Sequence, residues 1–342
     1  MTDVNPLSYE RMSPPVSSRM RNGSAAVLAT WRSLDTSNTG WSVETIKENW
    51  KTGAYILSHQ ARGLRVVAKQ CRPKTFQVEL YVHRDLLPAI GLRNVRLLGH
   101  CDDGASGWLF LEYANGAEYE RNDRKHRRAA AVWLADLHAG ARETRASEHL
   151  PPHDANRYLG HLYRAKAAIA GSTSDPRWDR DQRRALDAAF DLLDATEAIW
   201  SEISAVCAEL PSTVVHGDFV SKHVRIRTRR WARSAGLSVF DWEMAGWGPP
   251  VPDLAGLPWV DSLLAANVDR AAYFRASRGS AHAADRDAVE RSAWVGGLLR
   301  AVAALDWDSM RLEKPRAHRP LGNLPLYTEQ IASLLHEAPW RA

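Results

Sequence analysis

Val214-Val215-His216-Gly217-Asp218-Phe219-Val220-Ser221-Lys222-His223-Val224, followed by Val239-Phe240-Asp241-Trp242-Glu243, decides the fold of this chain. Asp218 and Asp241 each close a short apolar run, the pattern of a carboxylate presented at the mouth of a strand. Two such carboxylates suit phosphoryl transfer: one takes a proton from a hydroxyl and the other holds a divalent cation that carries phosphates. Gly-Asp alone is a common turn whose carboxylate satisfies backbone donors. The weight therefore lies on the combination with Asp241-Trp242-Glu243 and the tail Gly246-Trp247-Gly248-Pro249-Pro250-Val251-Pro252-Asp253-Leu254-Ala255.

Upstream, Trp41 to Gln70 reads as a hairpin-like pair of strands. Tyr55-Ile56-Leu57 precedes a polar turn at His59 to Gly63, and Leu64 to Lys69 follows it. Lys69 ends an apolar strand, where its stem packs on a sheet and its ammonium reaches out. Thr75 to Leu87 has helical spacing, with Phe76, Leu80 and Leu87 on one side and Glu79 inside it. Val95 to Gly99 and Trp108 to Tyr113 read as two more strands, the second ending at Ala114-Asn115-Gly116. Helices are expected over Ala129 to His138, over Arg180 to Leu210 as one or two amphipathic segments stopped by Pro211, over Ala293 to Leu305 and over Leu326 to His336. Val224 to Arg227 alternates like a half-exposed strand, and Ser234-Ala235-Gly236 looks like a turn towards Asp241.

Together these motifs resemble the aminoglycoside phosphotransferase and choline kinase-like family. Its pattern is His-Gly-Asp, four variable residues, Asn, then a strand ending in Asp, often as Asp-Trp-Glu, followed by Gly, Pro and Asp-Leu-Ala. Every element is present except the Asn, where this chain has His223. The resemblance implies an α+β, two-lobed protein-kinase-like fold. A flexible leader would cover 1–24, a small nucleotide-binding N-lobe with an antiparallel sheet and one main helix 25–114, and a larger, mostly helical C-lobe 115–342. The donor would be ATP or another nucleoside triphosphate, with magnesium or manganese, and the acceptor a small hydroxylated molecule.

Residue by residue, the resemblance makes Asp218 the catalytic group that orients or deprotonates the acceptor hydroxyl. Asp241 becomes the metal ligand, and Lys69 the phosphate contact, with Glu79 as its partner. Thr52 and Gly53, in the loop Asn49 to Ala54, would lie over the nucleotide, although a single glycine makes that loop a poor phosphate cradle. Backbone groups of Glu112, Tyr113 and Ala114 would meet an adenine edge. His216 is expected to support its loop, Asp253 to brace that loop or cap a helix, and His138 to pack or cap.

His223 stands where a second metal ligand is expected. Imidazole offers nitrogen where Asn offers oxygen, and magnesium accepts nitrogen reluctantly. The enzyme then works with one well-held metal, or with a nitrogen-tolerant metal such as manganese, or it is a pseudokinase that binds a nucleotide, ligand or protein partner without transfer. A further alternative turns His223 away from any metal to hydrogen-bond its own loop. The presence of Lys69, Asp218 and Asp241 together favours an active enzyme.

Composition narrows the acceptor and the surroundings. After Asp253 the chain carries ten Asp or Glu and eleven Lys or Arg. This near balance does not favour a polycationic substrate. A neutral or anionic antibiotic, sugar, nucleoside or other natural product fits at least as well, and the family's record implies resistance or biosynthesis. The chain of 342 residues with 45% hydrophobic content supports a substantial core. Its net charge of +5 is spread out, without the aromatic-basic interleaving of a nucleic-acid binder. No apolar run reaches the roughly 18 residues of a membrane span, because Arg300 cuts the stretch from Trp294 to Leu305. Cys71, Cys101 and Cys207 form no CxxC pair and are expected to be buried thiols in a reducing cytoplasm. Nothing in the sequence signals an oligomeric state.

Overall fold

The structure, a computed structural model, describes residues 23–35, 39–48, 52–227, 236–255, 265–278, 285–313 and 318–338. The expected leader lies outside the described residues except for 23 and 24, as do loop residues 49–51 and turn residues 234 and 235. The chain divides into two compact units. One comprises residues up to Gly116 plus Ser238–Glu243, and the other Ala117–Leu237 and everything from Met244 on.

The N-terminal unit opens with helix α1 (Gly23–Leu34) and a five-stranded sheet in the order β1-β2-β3-β5-β4. Its strands are β1 (Trp41–Glu48), β2 (Gly53–His59), β3 (Leu64–Cys71), β4 (Leu97–Asp102) and β5 (Gly107–Glu112), and every pairing is antiparallel. Strand alternation sorts the side chains onto two faces. Tyr55, Leu57, Val66, Ala68, Trp108 and Phe110 pack with Val27 and Trp31 of α1. On the opposite face Cys71, Leu109 and Leu111 meet Phe76 and Leu80 of helix α2 (Pro73–Tyr81). Lys69 shares the α2 face with Val67 and Cys71, and the buried stripe Phe76, Glu79, Leu80 turns Glu79 towards the sheet.

Three features differ from the sequence expectation. The segment from Trp41 holds three strands rather than a pair, since β1 pairs with β2 although most of its residues are exposed. Helix α1 is additional. The helix expected from Thr75 starts at Pro73, where proline suits the first turn, and passes into a π-helical turn over Val82–Leu86.

The C-terminal unit is mainly helical, with α3 (Arg124–Arg142), α4 (Ala155–Ser172), α5 (Arg180–Ala198), α6 (Trp200–Ala208), α7 (Arg270–Ser277), α8 (Arg286–Ser309) and α9 (His318–His336). Asp123 caps α3 by accepting from the Lys125 and His126 amides, and Asp179 with Gln182 forms a capping box on α5. Leu162, Ile169, Leu186, Leu193, Val302 and Leu305 belong to its core. Helix α8 is buried on nearly every face, so it shows little amphipathic pattern. Short strands frame the motif loop: β7 (Thr213–Val215) pairs antiparallel with β10 (Gly246–Gly248), and β8 (Val224–Ile226) with β6 (Ala117–Glu118). Cys71, Cys101 and Cys207 are free and buried. No described helix is long and apolar enough to cross a membrane.

Candidate active site

In the N-terminal unit, the Lys69 ammonium bonds to both the Glu79 and the Asp241 carboxylates. Asp241 sits just beyond strand β9 (Leu237–Val239) with φ +68°, in the left-handed region that Asp enters more readily than most residues. Asn94 fixes that approach: its side-chain NH₂ donates to the Val239 carbonyl at 2.6 Å and its oxygen accepts from the Val239 amide at 2.7 Å. Burial disfavours a charged Lys69, but Glu79 and Asp241 outweigh it and hold the lysine well above its ordinary value. Burial also pushes the Glu79 carboxyl up to about 7, against the pull of Lys69.

Glu79, Asp241 and Glu243 bring ligand oxygens within 4.8 Å of one another. Their donor set is all carboxylate oxygen, the preference of magnesium and manganese. Among the described residues Glu79 Oε2 is buried without a hydrogen-bond partner, an acceptor that a cation would satisfy. These residues therefore fit a hard divalent ion.

The other predicted nucleotide residues share this unit. Thr52 leads into β2, and Gly53 opens it so close to the Tyr55 ring that a Cβ there would stand 2.6 Å from the Tyr55 hydroxyl. The amides of Glu112, Tyr113 and Asn115 are engaged by the carbonyls of Arg96, Arg65 and Tyr113, at 2.8, 3.4 and 2.8 Å. The Ala114 amide has no backbone partner among the described residues. Arg65 lies over the Tyr113 ring, 3.6 Å from its centroid.

In the C-terminal unit, the loop from His216 to His223 is held from several sides. The buried Asp253 carboxylate accepts the His216 and Gly217 amides at 2.7 and 2.9 Å. His138 lies between Asp253 at 3.4 Å and the Tyr273 hydroxyl at 2.9 Å. Gly217 has φ +76°, and a Cβ there would meet the Met244 carbonyl at 2.6 Å, so glycine is required. The Asp218 amide donates to His216 Nδ1 at 3.3 Å.

Asp218 and His223 are brought together. His223 Nδ1 donates to the Asp218 carbonyl at 3.0 Å and lies 3.4 Å from its Oδ2. Its ring stacks on His216 with centroids 6.3 Å apart. In a neutral ring this bond would place the proton on Nδ1.

Arg300, from α8, completes the arrangement. Its Nη1 donates to the Gly217 carbonyl at 2.7 Å and its Nη2 to Asp218 Oδ1 at 2.5 Å. Burial would raise the Asp218 carboxyl, but Arg300, then His223, outweigh it and hold Asp218 below the ordinary carboxylate range.

The sequence pattern had assigned Arg300 only the role of interrupting an apolar run. That interruption was itself the signal, since a cation inside a buried helix calls for an anion. Asn94 gave no signal, because its clamp depends on a contact 145 residues away.

An antiparallel sheet whose strand lysine pairs with a glutamate of the helix packed on it, with a helical unit presenting a braced His-Gly-Asp loop, defines a kinase-like fold. The chain matches the phosphotransferase enzyme family over residues 40–312 and belongs to it. Among solved structures, it is similar to spectinomycin phosphotransferase in complex with ADP and spectinomycin. That likeness has 10% identity and a TM-score of 0.66, covering 94% of this chain and 100% of the other. Choline kinase from Cryptosporidium parvum Iowa II follows with 10% identity and a TM-score of 0.61, covering 92% and 97%. An ethanolamine kinase of Plasmodium vivax shows 12% identity and a TM-score of 0.61, covering 93% and 88%. At these identities the likeness is one of fold. No curated protein matches the chain.

Proposed function

We propose that this protein is an ATP-dependent O-phosphotransferase acting on a hydroxyl of a small molecule. The observation that carries the proposal is the pair of preformed carboxylate centres. One is the Lys69-Glu79-Asp241 cluster with its surplus of oxygen ligands, and the other is Asp218 fixed by Arg300 and His223. Family membership supports the same class of chemistry.

In this proposal Asp241, with Glu79 and Glu243 beside it, would hold magnesium or manganese, which would supply neutralisation of phosphate charge. Lys69 contacts the phosphates, with Glu79 fixing its position. The Ala114 amide is a free donor for an adenine edge, and Thr52 and Gly53 border the nucleotide. At Asp218, Arg300 engages Oδ1, so Oδ2 takes the acceptor proton as the acceptor oxygen bonds to the γ-phosphorus and the bond to ADP breaks. A carboxylate held this far ionised is a weak base. Its main contribution is to aim the hydroxyl, which suits a transition state where proton transfer is late. Were His223 to ligate a metal, it would offer nitrogen, which manganese tolerates better than magnesium.

The experiment is a screen of ATP consumption against pooled hydroxylated metabolites and antibiotics, run with magnesium and with manganese. Metal-dependent ADP release coupled to a phosphorylated product is the expected result. A pseudokinase would give no such product with any pool under either metal.

A further inference from the structure

Beside Asp218 the C-terminal unit has a small cavity of about 10 Å³, room for about one water molecule, lined among others by Arg157, His161, Gly217, Met244, Arg300 and Trp307. Gly217 is the residue before Asp218, and Arg300 bonds to both of them, so the cavity borders the proposed proton acceptor. Its charges are unequally matched. Arg300 is paired with Asp218. Asp306, behind His161, is shared between His161 Nδ1 at 2.7 Å and Arg164 Nη2 at 2.9 Å.

Arg157 has no such partner. The polar contact of its guanidinium is Nη2 to the Met244 sulfur at 3.9 Å, and no carboxylate lies within ion-pair distance among the described residues. The nearby Asp154 spends its side chain capping α4, by accepting the Arg157 backbone amide at 3.2 Å. Burial pulls the guanidinium below the ordinary arginine value, and the charge of Arg164 adds to the effect. A half-buried cation without an anion is costly, and a planar guanidinium matches a carboxylate or phosphate through paired hydrogen bonds. An ammonium-bearing acceptor would find Asp218 already compensated by Arg300 and Arg157 repelling it.

We propose that the acceptor carries an anionic group, a carboxylate or a phosphate ester, beside its hydroxyl, and that Arg157 binds that group. The inference rests on the phosphotransferase reading of the Asp218 loop and names the substrate class for it.

The test is calorimetry at low ionic strength on the full chain and on Arg157→Gln and Arg157→Lys. The probes are D-glycerate, glycerol 3-phosphate, glycerol and choline. At least one of the two anions should bind more tightly than glycerol and choline, and which one binds distinguishes carboxylate from phosphate. Arg157→Gln should weaken that binding by at least about tenfold, the scale of one charge-assisted hydrogen bond, and Arg157→Lys should retain part of it. Failure of both anions to bind, equal or tighter binding of glycerol or choline, or an anion affinity unchanged in Arg157→Gln would each overturn the inference. Metal-dependent ATP binding, measured on the same samples, belongs to the phosphotransferase reading. Its presence without anion preference sinks the inference alone, and its absence with anion binding intact sinks the kinase reading and leaves an anion site.

Discussion

The two units treat their acidic residues in opposite ways. In the N-terminal unit, Glu79, Asp241 and Glu243 converge around Lys69, and negative charge is left over. In the C-terminal unit, Asp218 is matched by Arg300 and Asp306 by His161 and Arg164, while Arg157 remains unmatched. A surplus of carboxylate attracts a divalent cation, whereas a compensated carboxylate stays ionised, fixed in direction and weakly basic. One residue type thus serves two tasks according to its counter-charges.

The comparison breaks first at Asp218. Asp218→Asn keeps the shape and removes the proton acceptor, so turnover should fall by about 10²- to 10⁴-fold, with ATP binding largely retained. Unchanged turnover would detach Asp218 from the chemistry.

Arg300→Met should come next, lowering turnover by about 10- to 100-fold, as expected for loss of a hydrogen bond between charged groups. Because Arg300 holds the Asp218 carboxyl down, its removal should also move the acid limb of the pH profile to higher pH. Arg300→Lys should recover part of both effects. An acid limb that stays in place would reduce Arg300 to a packing role.

A smaller effect is expected at His223. If Nε2 ligates metal, activity should favour manganese, which tolerates nitrogen better than magnesium does. His223→Asn should then shift the activity ratio from manganese towards magnesium. The hydrogen bond from His223 Nδ1 to the Asp218 carbonyl is compatible with a ligand role and with a purely structural one. An unmoved metal ratio would leave only the structural role.

The smallest effect concerns stability. His153 is buried, bonds to the Tyr158 hydroxyl at 2.9 Å, and is held by burial far below its ordinary 6.5, at about 3. A histidine with a depressed folded-state value stabilises the fold above 6.5 and loses that contribution as pH falls from 6.5 towards 3. Urea midpoints of the wild type should decline across that window, and His153→Gln should flatten the decline. Asp218 and Asp253, both held below 3.8, should add acid sensitivity only at lower pH. Parallel curves for the two proteins would show that His153 titrates normally.

Much of this arrangement was legible in the chain. The strand ending at Lys69 and the helix carrying Phe76, Glu79 and Leu80 were legible from local pattern, and the resemblance paired the lysine with the glutamate. The resemblance carried by His216 to His223 and by Asp241 to Ala255 supplied the fold. Local pattern could not show strand β1, whose residues are mostly exposed and carry no buried stripe. Nor could it show α1, whose 12 residues bury only Val27 and Trp31. Arg300, Asn94 and Arg157 act through partners distant in sequence, and only tertiary packing reveals which cation is matched and which is not.

The most direct test of the central claim is calorimetry of ATP binding with and without magnesium, on the wild type and on Asp241→Asn. The account predicts binding that requires the metal and is lost in Asp241→Asn. ATP binding that is equal with and without metal, or unaffected by the substitution, would contradict it.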